Sequence, residues 1–245
     1  MSMLKRIAGK ATAKIAKQAN VTHVERLSKH ILRVRIEGEQ FDQLAWSPGD
    51  KIKLHVGDGN MRSYTPAQFN PTEKWMDLIF HLHGNGPASE WASSLKGGEE
   101  TYFMGPAKSM ASITTHRPWT MFFGDETTIG LAQALKDALP TDVEMHIAIE
   151  LEAEDQDALK QLPISIQPII REGIHGTTLL QHAKQLTIPE GDGAIWLSGE
   201  ANTVLSLRTF FLSQGLERSQ LLIKPYWSIK GKADRKQLER TQLKN

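Results

Sequence analysis

Within the segment 62–65, the side chains of Arg62, Tyr64 and Thr65 could bind a molecule that is both anionic and planar. If residues 61–66 form a strand, Arg62 and Tyr64 share one face of it. The arginine fork could then bind a phosphate, and the tyrosine could stack on a ring whose edge accepts or donates a hydrogen bond to the Thr65 hydroxyl. The alternative is an ordinary edge strand that ends at Pro66.

A glycine-rich turn, His83-Gly84-Asn85-Gly86-Pro87, leads from a predicted strand into a predicted helix. Proline is favoured at the first position of a helix, and the unpaired N–H groups there attract anions with the help of the helix dipole. Gly84 and Gly86 would let a pyrophosphate approach the backbone closely. The alternative is a strand-to-helix corner that binds nothing. A metal site at His81 and His83 would lack a third and a fourth ligand, so we expect no metal.

Two further turns follow buried strands in the second half of the chain. Gly124-Asp125-Glu126-Thr127 opens a predicted helix, which Asp125 or Thr127 could cap, and a dinucleotide could bind at its N-terminus. Neither a G-x-G-x-x-G fingerprint nor a Walker A sequence is present, so a plain capped helix is the alternative. Ser198-Gly199-Glu200 is a similar turn and is not a G-x-S-x-G nucleophile elbow.

The elements that must position these residues fall into two groups. Up to about residue 105 the apolar residues mostly alternate, which predicts short strands interrupted by one helix and hence an antiparallel β-barrel. From about residue 119 apolar strands alternate with helices, which predicts a parallel five-stranded sheet wound on both faces. The predicted domains are 1–117, beginning with a basic helix over 1–20, and 118–245, ending with a basic helix. The predicted strands are 21–27, 31–37, 51–56, 61–66, 75–82, 100–104, 119–123, 143–150, 164–170, 194–198 and 220–226, and the predicted helices are 87–95, 127–139, 154–162, 177–186 and 201–214.

Composition excludes several classes of protein. The 245 residues include no cysteine, which rules out disulfides, thiolate zinc sites and cysteine-ligated iron–sulfur clusters. The net charge of +1 is low for a dedicated nucleic-acid-binding protein. No apolar run approaches the roughly 20 residues of a membrane span, and no secretory signal is evident, so we expect a cytoplasmic protein. The basic ends, which flank an acidic middle, are either solvated or attract an anionic ligand.

Taken together, these motifs resemble the siderophore-interacting proteins, a branch of the ferredoxin–NADP reductase superfamily. The family's flavin-binding arginine-x-tyrosine-serine/threonine pattern matches Arg62-Ser63-Tyr64-Thr65, and its His-Gly-x-Gly-Pro-Ala-x-x-Trp-Ala segment matches His83–Ala92. Gly124–Thr127, Gly199–Ala201 and Tyr226–Gly231 match later segments. Lys108 departs from the family, because it stands where a second glycine often follows the barrel's last strand.

The resemblance implies a flavoprotein that binds FAD, takes electrons from NADH, NADPH or ferredoxin, and reduces the ferric iron of a siderophore. Lysine and arginine side chains would attract the anionic ferric siderophore. We expect a monomer. Tyr64 and Thr65 are the predicted catalytic residues. The predicted cofactor ligands are Arg62, Ser63, Tyr64, Thr65, His81, His83, Gly84, Gly86, Pro87, Ala88, Ser89, Gly124, Asp125, Glu126 and Thr127, and the predicted substrate ligands are Lys53, Lys230, Lys232 and Arg235.

Two other functions agree with the same residues. The chain could be a general NAD(P)H-dependent flavin or ferredoxin reductase, or a flavin-containing module that binds siderophores without turnover. The residues distinguish neither these functions nor NADH from NADPH, because no pair of arginines evidently awaits a 2′-phosphate.

Overall fold

The computed structural model describes residues 16–84, 86–110 and 117–231. The chain divides into two compact units, residues 1–109 and residues 110–245. In the described ranges, none of the helices combines the length and the apolar character needed to cross a bilayer. The predicted fold class, an antiparallel sheet followed by a doubly wound parallel sheet, is confirmed.

The first unit is a seven-stranded sheet in which all paired neighbours are antiparallel, in the order β4-β3-β7-β1-β2-β6-β5. The sequence prediction missed β5, which has only three residues and too little alternation to be recognised. In the described part of this unit, one α-helix, α1 (Pro87–Ser94), and one 3₁₀ helix (Glu39–Gln43) accompany the sheet. The strands are β1 (Lys17–Arg26), β2 (Ile31–Glu37), β3 (Lys51–His55), β4 (Met61–Tyr64), β5 (Gln68–Asn70), β6 (Trp75–His81) and β7 (Glu100–Ala107).

The sheet of the first unit curves around a single apolar core. Val34, Leu54 and Phe103, from three different strands, are completely buried in that core. Tyr64 of β4 also contacts Phe80 of β6, with ring centroids 4.4 Å apart, although four strands lie between β4 and β6 in the sheet. The curvature therefore brings the strand of the Arg62 motif close to the strand that leads into the glycine-rich turn.

The predicted helix over residues 1–20 is wrong for residues 17–20, which begin β1. Lys17–Asn20 pair antiparallel with residues 100–103 of β7, and Ala19 is buried in the core of the sheet. The ladder between β1 and β7 satisfies backbone groups that a helix would satisfy locally, and it joins the two halves of the sheet. Residues 1–15 lie outside the described part of the chain.

The second unit is a five-stranded parallel sheet in the order β10-β9-β8-β11-β12. The order reverses between β8 and β11, because the chain runs outward from β8 through β9 to β10 and then returns to β11. In open parallel sheets, ligands bind beyond the carboxyl ends of the strands at such a switch point. The strands are β8 (Thr120–Asp125), β9 (Met145–Leu151), β10 (Gln167–Ile170), β11 (Ala194–Glu200) and β12 (Leu221–Trp227).

Helices cover both faces of the parallel sheet. Right-handed crossovers put α2 and α3 on one face and α4 and α5 on the other. Phe123 of β8 packs with Leu179 of α4 and Phe211 of α5 in one core. The predicted helix 154–162 is shorter in the structure, where a 3₁₀ turn (Ala153–Asp155) precedes α3. The α-helices of this unit are α2 (Ile129–Asp137), α3 (Gln156–Leu159), α4 (Thr177–Gln185) and α5 (Ala201–Ser213), and the other 3₁₀ turns are Glu126–Thr128 and Arg218–Gln220.

Candidate functional site

Arg62 and Tyr64 lie on the same face of β4, as the alternation predicts. In the register between β3 and β4, Arg62 is opposite Leu54 and Tyr64 is opposite Ile52, and both of these β3 residues point into the core. The Arg62 guanidinium has one hydrogen bond that the structure resolves, from Nη1 to the carbonyl oxygen of Met61, 3.0 Å away. Most of its donors therefore remain available to an anion.

Ser63 and Lys53, which are opposite each other in the same register, point to the other face of the sheet. Both are exposed. Residue 63 therefore approaches a ligand of Arg62 and Tyr64 through its backbone rather than its hydroxyl. The structure does not bring the predicted substrate lysine to the face that holds the predicted cofactor residues.

A row of three aromatic rings links this strand to helix α1. Tyr64 contacts Phe80 at 4.4 Å between ring centroids, and Phe80 contacts Trp91 of α1 at 5.8 Å. Burial raises the pKa of the Tyr64 hydroxyl well above its ordinary value, so Tyr64 stays neutral and serves as a flat, apolar surface with a polar tip. Sequence analysis missed the role of Phe80, which only the curvature of the sheet brings between the two motifs.

The glycine-rich turn ends in a helix N-terminus for which none of the described residues supplies a side-chain cap. Gly86 is the N-cap of α1, Pro87 begins the helix, and Gly86 has no side chain that could accept a hydrogen bond from the first-turn amides. Gly84 has φ +56°, a conformation that favours glycine, and a Cβ atom added at Gly84 or Gly86 would meet nothing within 4 Å. The backbone of the turn is therefore open to a ligand on the side where a side chain would stand.

Ser89 fixes the shape of this turn. Its buried hydroxyl accepts a hydrogen bond from the His83 N–H at 3.0 Å and donates one to the His83 carbonyl at 3.1 Å. Ala88 is half-buried against the core. The hydrogen bonds of the Ser89 hydroxyl are therefore made to the protein backbone, and they stabilise the conformation of the turn.

Histidines line the approach to the turn. The rings of His81 and His83 are 5.8 Å apart, and His30, from the hairpin between β1 and β2, meets His81 edge-on at 6.5 Å. His81 ends β6, and His83 is exposed just before Gly84. The two predicted histidines are therefore next to the open turn, and His30 is a third polar ring that the sequence analysis missed because it is distant in sequence.

These features suit the diphosphate of FAD. An uncapped helix N-terminus, glycines whose missing side chains leave space, and an arginine with unused donors are what a pyrophosphate requires. Thr65, next to Tyr64, is buried. The described residues of the first unit therefore fit the cofactor that the motifs predicted, and Arg62, Tyr64 and residues 83–87 would hold it.

In the second unit, the Asp125 carboxylate connects the loops that follow β8 and β11, at the switch point, through hydrogen bonds. Its Oδ1 accepts hydrogen bonds from the N–H of Thr127 at 3.0 Å and from its hydroxyl at 2.5 Å, and its Oδ2 accepts from the N–H of Glu200 at 2.8 Å and from the indole N–H of Trp227 at 2.9 Å. Gly199, with φ +112°, lets the chain pass this carboxylate, since a Cβ there would lie 2.4 Å from Oδ2. The predicted cap by Asp125 is confirmed, and its carboxylate is engaged within the protein.

The chain's own carboxylates occupy the helix N-termini that follow β8, β10 and β11 at the carboxyl edge of the sheet. Asp125 binds the turn that precedes α2. Glu200 accepts from the N–H groups of Asn202 at 2.7 Å and Thr203 at 2.9 Å, which caps α5. Glu150 accepts from the N–H groups of Gly176 at 2.7 Å and Leu179 at 3.2 Å, which caps α4. This edge therefore differs from α1 of the first unit, where the N-terminus has no side-chain cap.

Arg171, at the end of β10, is surrounded by three carboxylates. Its guanidinium pairs with Glu126 at 2.5 Å, with Glu152 at 2.7 Å and more distantly with Glu150 at 3.5 Å. Burial, with the neighbouring Asp125 charge, raises the pKa of Glu126 despite this pairing. Burial would also raise the pKa of Glu150, but the nearby His175 imidazole and the helix N–H groups outweigh it and lower that pKa.

His175 completes this cluster. Its Nδ1 is 3.3 Å from a Glu150 oxygen, outside hydrogen-bond geometry, and its ring meets Trp227 edge-on at 5.0 Å. Burial opposes the charged imidazole, but the Glu150 carboxylate outweighs burial and raises the pKa of His175. Sequence analysis missed Glu150, Arg171 and His175, although polar residues that directly follow buried parallel strands were the available signal.

The remaining predicted substrate residues lie at the end of the second unit. Lys230 is exposed in the turn after β12, and Lys232 and Arg235 lie outside the described residues. Asn85, inside the glycine-rich turn, is also outside them. The Lys230 side chain is exposed, so its charge faces solvent.

Two family models match the chain in succession. One, described as "Siderophore-interacting FAD-binding domain", matches residues 55–110, and the other, described as "Siderophore-interacting protein", matches residues 117–230. The first match includes the Arg62 motif and the open turn, and the second begins just before β8.

Individual relatives have low sequence identity to this chain, but they match it over most of its length. The ferric vibriobactin reductase ViuB of Vibrio cholerae is 24% identical over 192 residues, which cover 76% of this chain and 70% of that protein. An NADPH-dependent ferric-chelate reductase of Escherichia coli is 23% identical over 174 residues, which cover 69% of this chain and 66% of that protein. The solved siderophore-interacting protein of Acinetobacter baumannii, 24% identical, superposes with a TM-score of 0.76 over 93% of this chain and 96% of that one.

Proposed function

Because the chain belongs to the siderophore-interacting protein family of the ferredoxin–NADP reductase superfamily, we propose that it is an FAD-dependent reductase of ferric siderophores. Electrons would come from a reduced nicotinamide dinucleotide, and iron would leave its chelator as Fe(II). Each dinucleotide would reduce two ferric ions, with the release of one oxidised dinucleotide and one proton.

The observation that carries this proposal is the open helix N-terminus beside the Arg62 and Tyr64 face in the first unit. The described residues supply no side-chain cap at the α1 N-terminus, and Gly84 and Gly86 leave room above the backbone. The Tyr64–Phe80–Trp91 row supports both motifs from the same core. An anion-binding turn and an aromatic surface held at one place support a cofactor that is both a diphosphate and a planar ring.

FAD supplies the conversion between a two-electron hydride donor and a one-electron iron acceptor. The chain's own residues would do the positioning. Arg62 would hold a phosphate through the fork of its guanidinium, and the backbone N–H groups of Gly84 and Gly86 would hold the other. Tyr64, kept neutral by burial, would set the plane of the ring, with the Thr65 hydroxyl at the ring edge.

Reduction of the metal is sufficient to release it. Siderophores hold Fe(III) far more tightly than Fe(II), so one electron per iron weakens the complex. The protein therefore needs no acid or base at the iron ligands for release, and its contribution is to bring an anionic chelate near the reduced cofactor.

We place the attraction of that anion on Lys53 and Lys230, each of which is exposed. Because Lys53 points to the opposite face of the sheet from Arg62 and Tyr64, it would attract the chelate from a distance rather than bind it beside the cofactor. An exposed ion pair contributes up to about 1 kcal/mol, so Lys53→Ala and Lys230→Ala should each raise KM for an anionic ferric chelate roughly two- to fivefold. Salt screens exposed charges over about 8 Å at physiological ionic strength, so KM should also rise with salt for the native protein and less steeply for the variants.

Two exposed lysines of the same units serve as matched controls. Lys96→Ala in the first unit and Lys184→Ala on α4 remove the same charge elsewhere, and they should leave KM close to the native value. A neutral ferric hydroxamate should respond weakly to all four substitutions. Equal effects of all four lysines on the anionic chelate would show that only net charge matters and would remove Lys53 and Lys230 from the site.

The function itself is tested with purified protein loaded with FAD. Under anaerobic conditions, NADH or NADPH should bleach the oxidised flavin, and addition of a ferric siderophore should restore its absorbance while a ferrous trap forms its coloured complex. Restored flavin absorbance without ferrous iron would overturn the proposal. Reduction of free flavin or of a ferredoxin at a rate far above that of any ferric chelate would instead make the chain a general reductase, and chelate binding without reduction would make it a binding module.

A further inference from the structure

The carboxyl edge of the parallel sheet places Glu152 and Arg171 together at the ends of β9 and β10. Arg171 is nearly buried, with 10% of its side chain exposed, whereas Glu152 has 49% of its side chain exposed. The outward-facing group of this ion pair is therefore the carboxylate. The guanidinium points inward, toward Glu126 and Glu150.

The position of this pair in the fold matters because β9 is the second strand of the sheet, counted outward from the switch point. In Rossmann folds, whose strand order 3-2-1-4-5 this sheet shares, an acidic residue hydrogen-bonds the ribose 2′-hydroxyl, and an arginine nearby accommodates a 2′-phosphate instead. This chain has both residue types at that place. Their exposure and pairing decide which of the two a ribose would meet.

From this arrangement we infer that the protein discriminates against the 2′-phosphate of NADPH and prefers NADH, and that Glu152 is the residue that determines this preference. The inference rests on the proposed function, since it concerns the nicotinamide donor of that reaction. Glu152 would accept hydrogen bonds from the ribose diol. It would also hold Arg171 Nη1 in an ion pair, so that the guanidinium is not available to a phosphate.

The charges around the pair act in the same direction. Asp125, Glu150 and Glu200 are buried at this edge and cap the helix N-termini that would otherwise attract phosphate. A 2′-phosphate adds a charge of about −1.5 to −2 at neutral pH. Such a group would approach a set of carboxylates. The guanidinium beside them, Arg171, is already paired with Glu126 and Glu152.

Anaerobic reduction of the protein-bound flavin by each dinucleotide tests the inference. We expect kcat/KM for NADH to exceed that for NADPH at least roughly tenfold, which corresponds to about 1.4 kcal/mol. Glu152→Gln, which keeps the size of the side chain and removes its charge, should shrink this ratio severalfold because Arg171 gains a free donor. Glu152→Arg should reverse it. This preference is the opposite of the one in the name of the Escherichia coli relative.

A matched control removes the same charge at the other end of the same strand. Glu144 is exposed just before β9, at the amino edge of the sheet, so Glu144→Gln should leave the ratio at its native value. Binding gives a readout that does not depend on turnover. By calorimetry, native protein should bind 5′-AMP more tightly than 2′,5′-ADP, and Glu152→Gln should reduce that difference.

The outcomes separate this inference from the proposed function. A native preference for NADPH, or a ratio that Glu152→Gln and Glu144→Gln change equally, would overturn the inference and leave iron reduction intact. Failure of both dinucleotides to reduce a flavin that reduces ferric chelate after chemical reduction would also overturn it. A clear NADH preference without any ferrous iron would support the inference about the donor site while the proposed function fails.

Discussion

A Gly86→Asp variant should bind FAD on the order of 100-fold more weakly than the native protein, because a carboxylate at the N-cap of α1 would stand where the diphosphate binds and would repel it. The flavin-free form of the same variant should be slightly more stable than native, by a few tenths of a kcal/mol, because aspartate caps a helix better than glycine does. Residue 86 has φ −87° and ψ 149°, which any residue adopts, and a Cβ there meets no neighbour. The substitution therefore changes the ligand site without straining the fold.

Gly86→Asn is the matched control, because asparagine has nearly the same shape and caps the helix without a charge. Its FAD affinity should fall between those of the native and Gly86→Asp proteins. Affinity is measured by the flavin fluorescence lost on titrating apoprotein into FAD, and stability by thermal unfolding of the flavin-free forms. Native FAD affinity in Gly86→Asp would show that the turn is only a structural corner, whereas unfolding of the apoprotein would show that the open space is needed for packing.

Asp125→Asn should lower the free energy of unfolding of the second unit by about 3 kcal/mol, because a buried amide cannot replace both carboxylate oxygens. Four donors converge on Asp125, and one of them, the Trp227 indole, comes from a residue 102 positions away in the chain. The new amide nitrogen would face N–H groups instead of accepting from them. A loss of this size lowers the unfolding temperature by roughly 6–12 °C in a domain of about 150–250 residues, and by somewhat more in a shorter unit such as this one.

Asp142→Asn, in the exposed loop before β9, is the matched control and should leave the unfolding temperature within about 1 °C of the native value. The same experiment distinguishes two roles of Asp125. If the carboxylate acts as a clamp, stability falls while FAD affinity, a property of the first unit, is unchanged. If it is instead a ligand of the nicotinamide donor, stability stays near native and only the KM for the donor rises.

Much of the candidate flavin site could be predicted from the sequence because its parts are local. A strand of alternating residues puts Arg62 and Tyr64 on one face whatever surrounds it, and a Gly-x-Gly-Pro turn before a helix exposes backbone amides by its own geometry. The predicted cap by Asp125 succeeded for the same reason, since it joins residues two positions apart. The separation into an alternating half and an apolar, helix-alternating half likewise predicted the two sheets.

Other features depended on which strands become neighbours. Lys17–Asn20 have a composition that suits a basic helix, and only their pairing with β7 makes them a strand. The register between β3 and β4 decides that Lys53 faces away from Arg62 and Tyr64. Neither result follows from local periodicity, because both are set by backbone hydrogen bonds between segments some 10 to 90 residues apart.

The sequence by itself determined the order of the two sheets, the face shared by Arg62 and Tyr64, and an uncapped helix at Gly86, since each depends on dihedral preferences and spacing within a few residues. Only the tertiary structure decided the electrostatic character of the second unit. Strand order brings Glu150 to the N-terminus of α4, a helix that begins 27 residues later, and turns Arg171 inward against three carboxylates. A carboxylate accepts hydrogen bonds from whichever donors the fold brings to it. Aspartate and glutamate can therefore cap helices and repel phosphate at this edge, although the same residue types are solvated surface charges elsewhere.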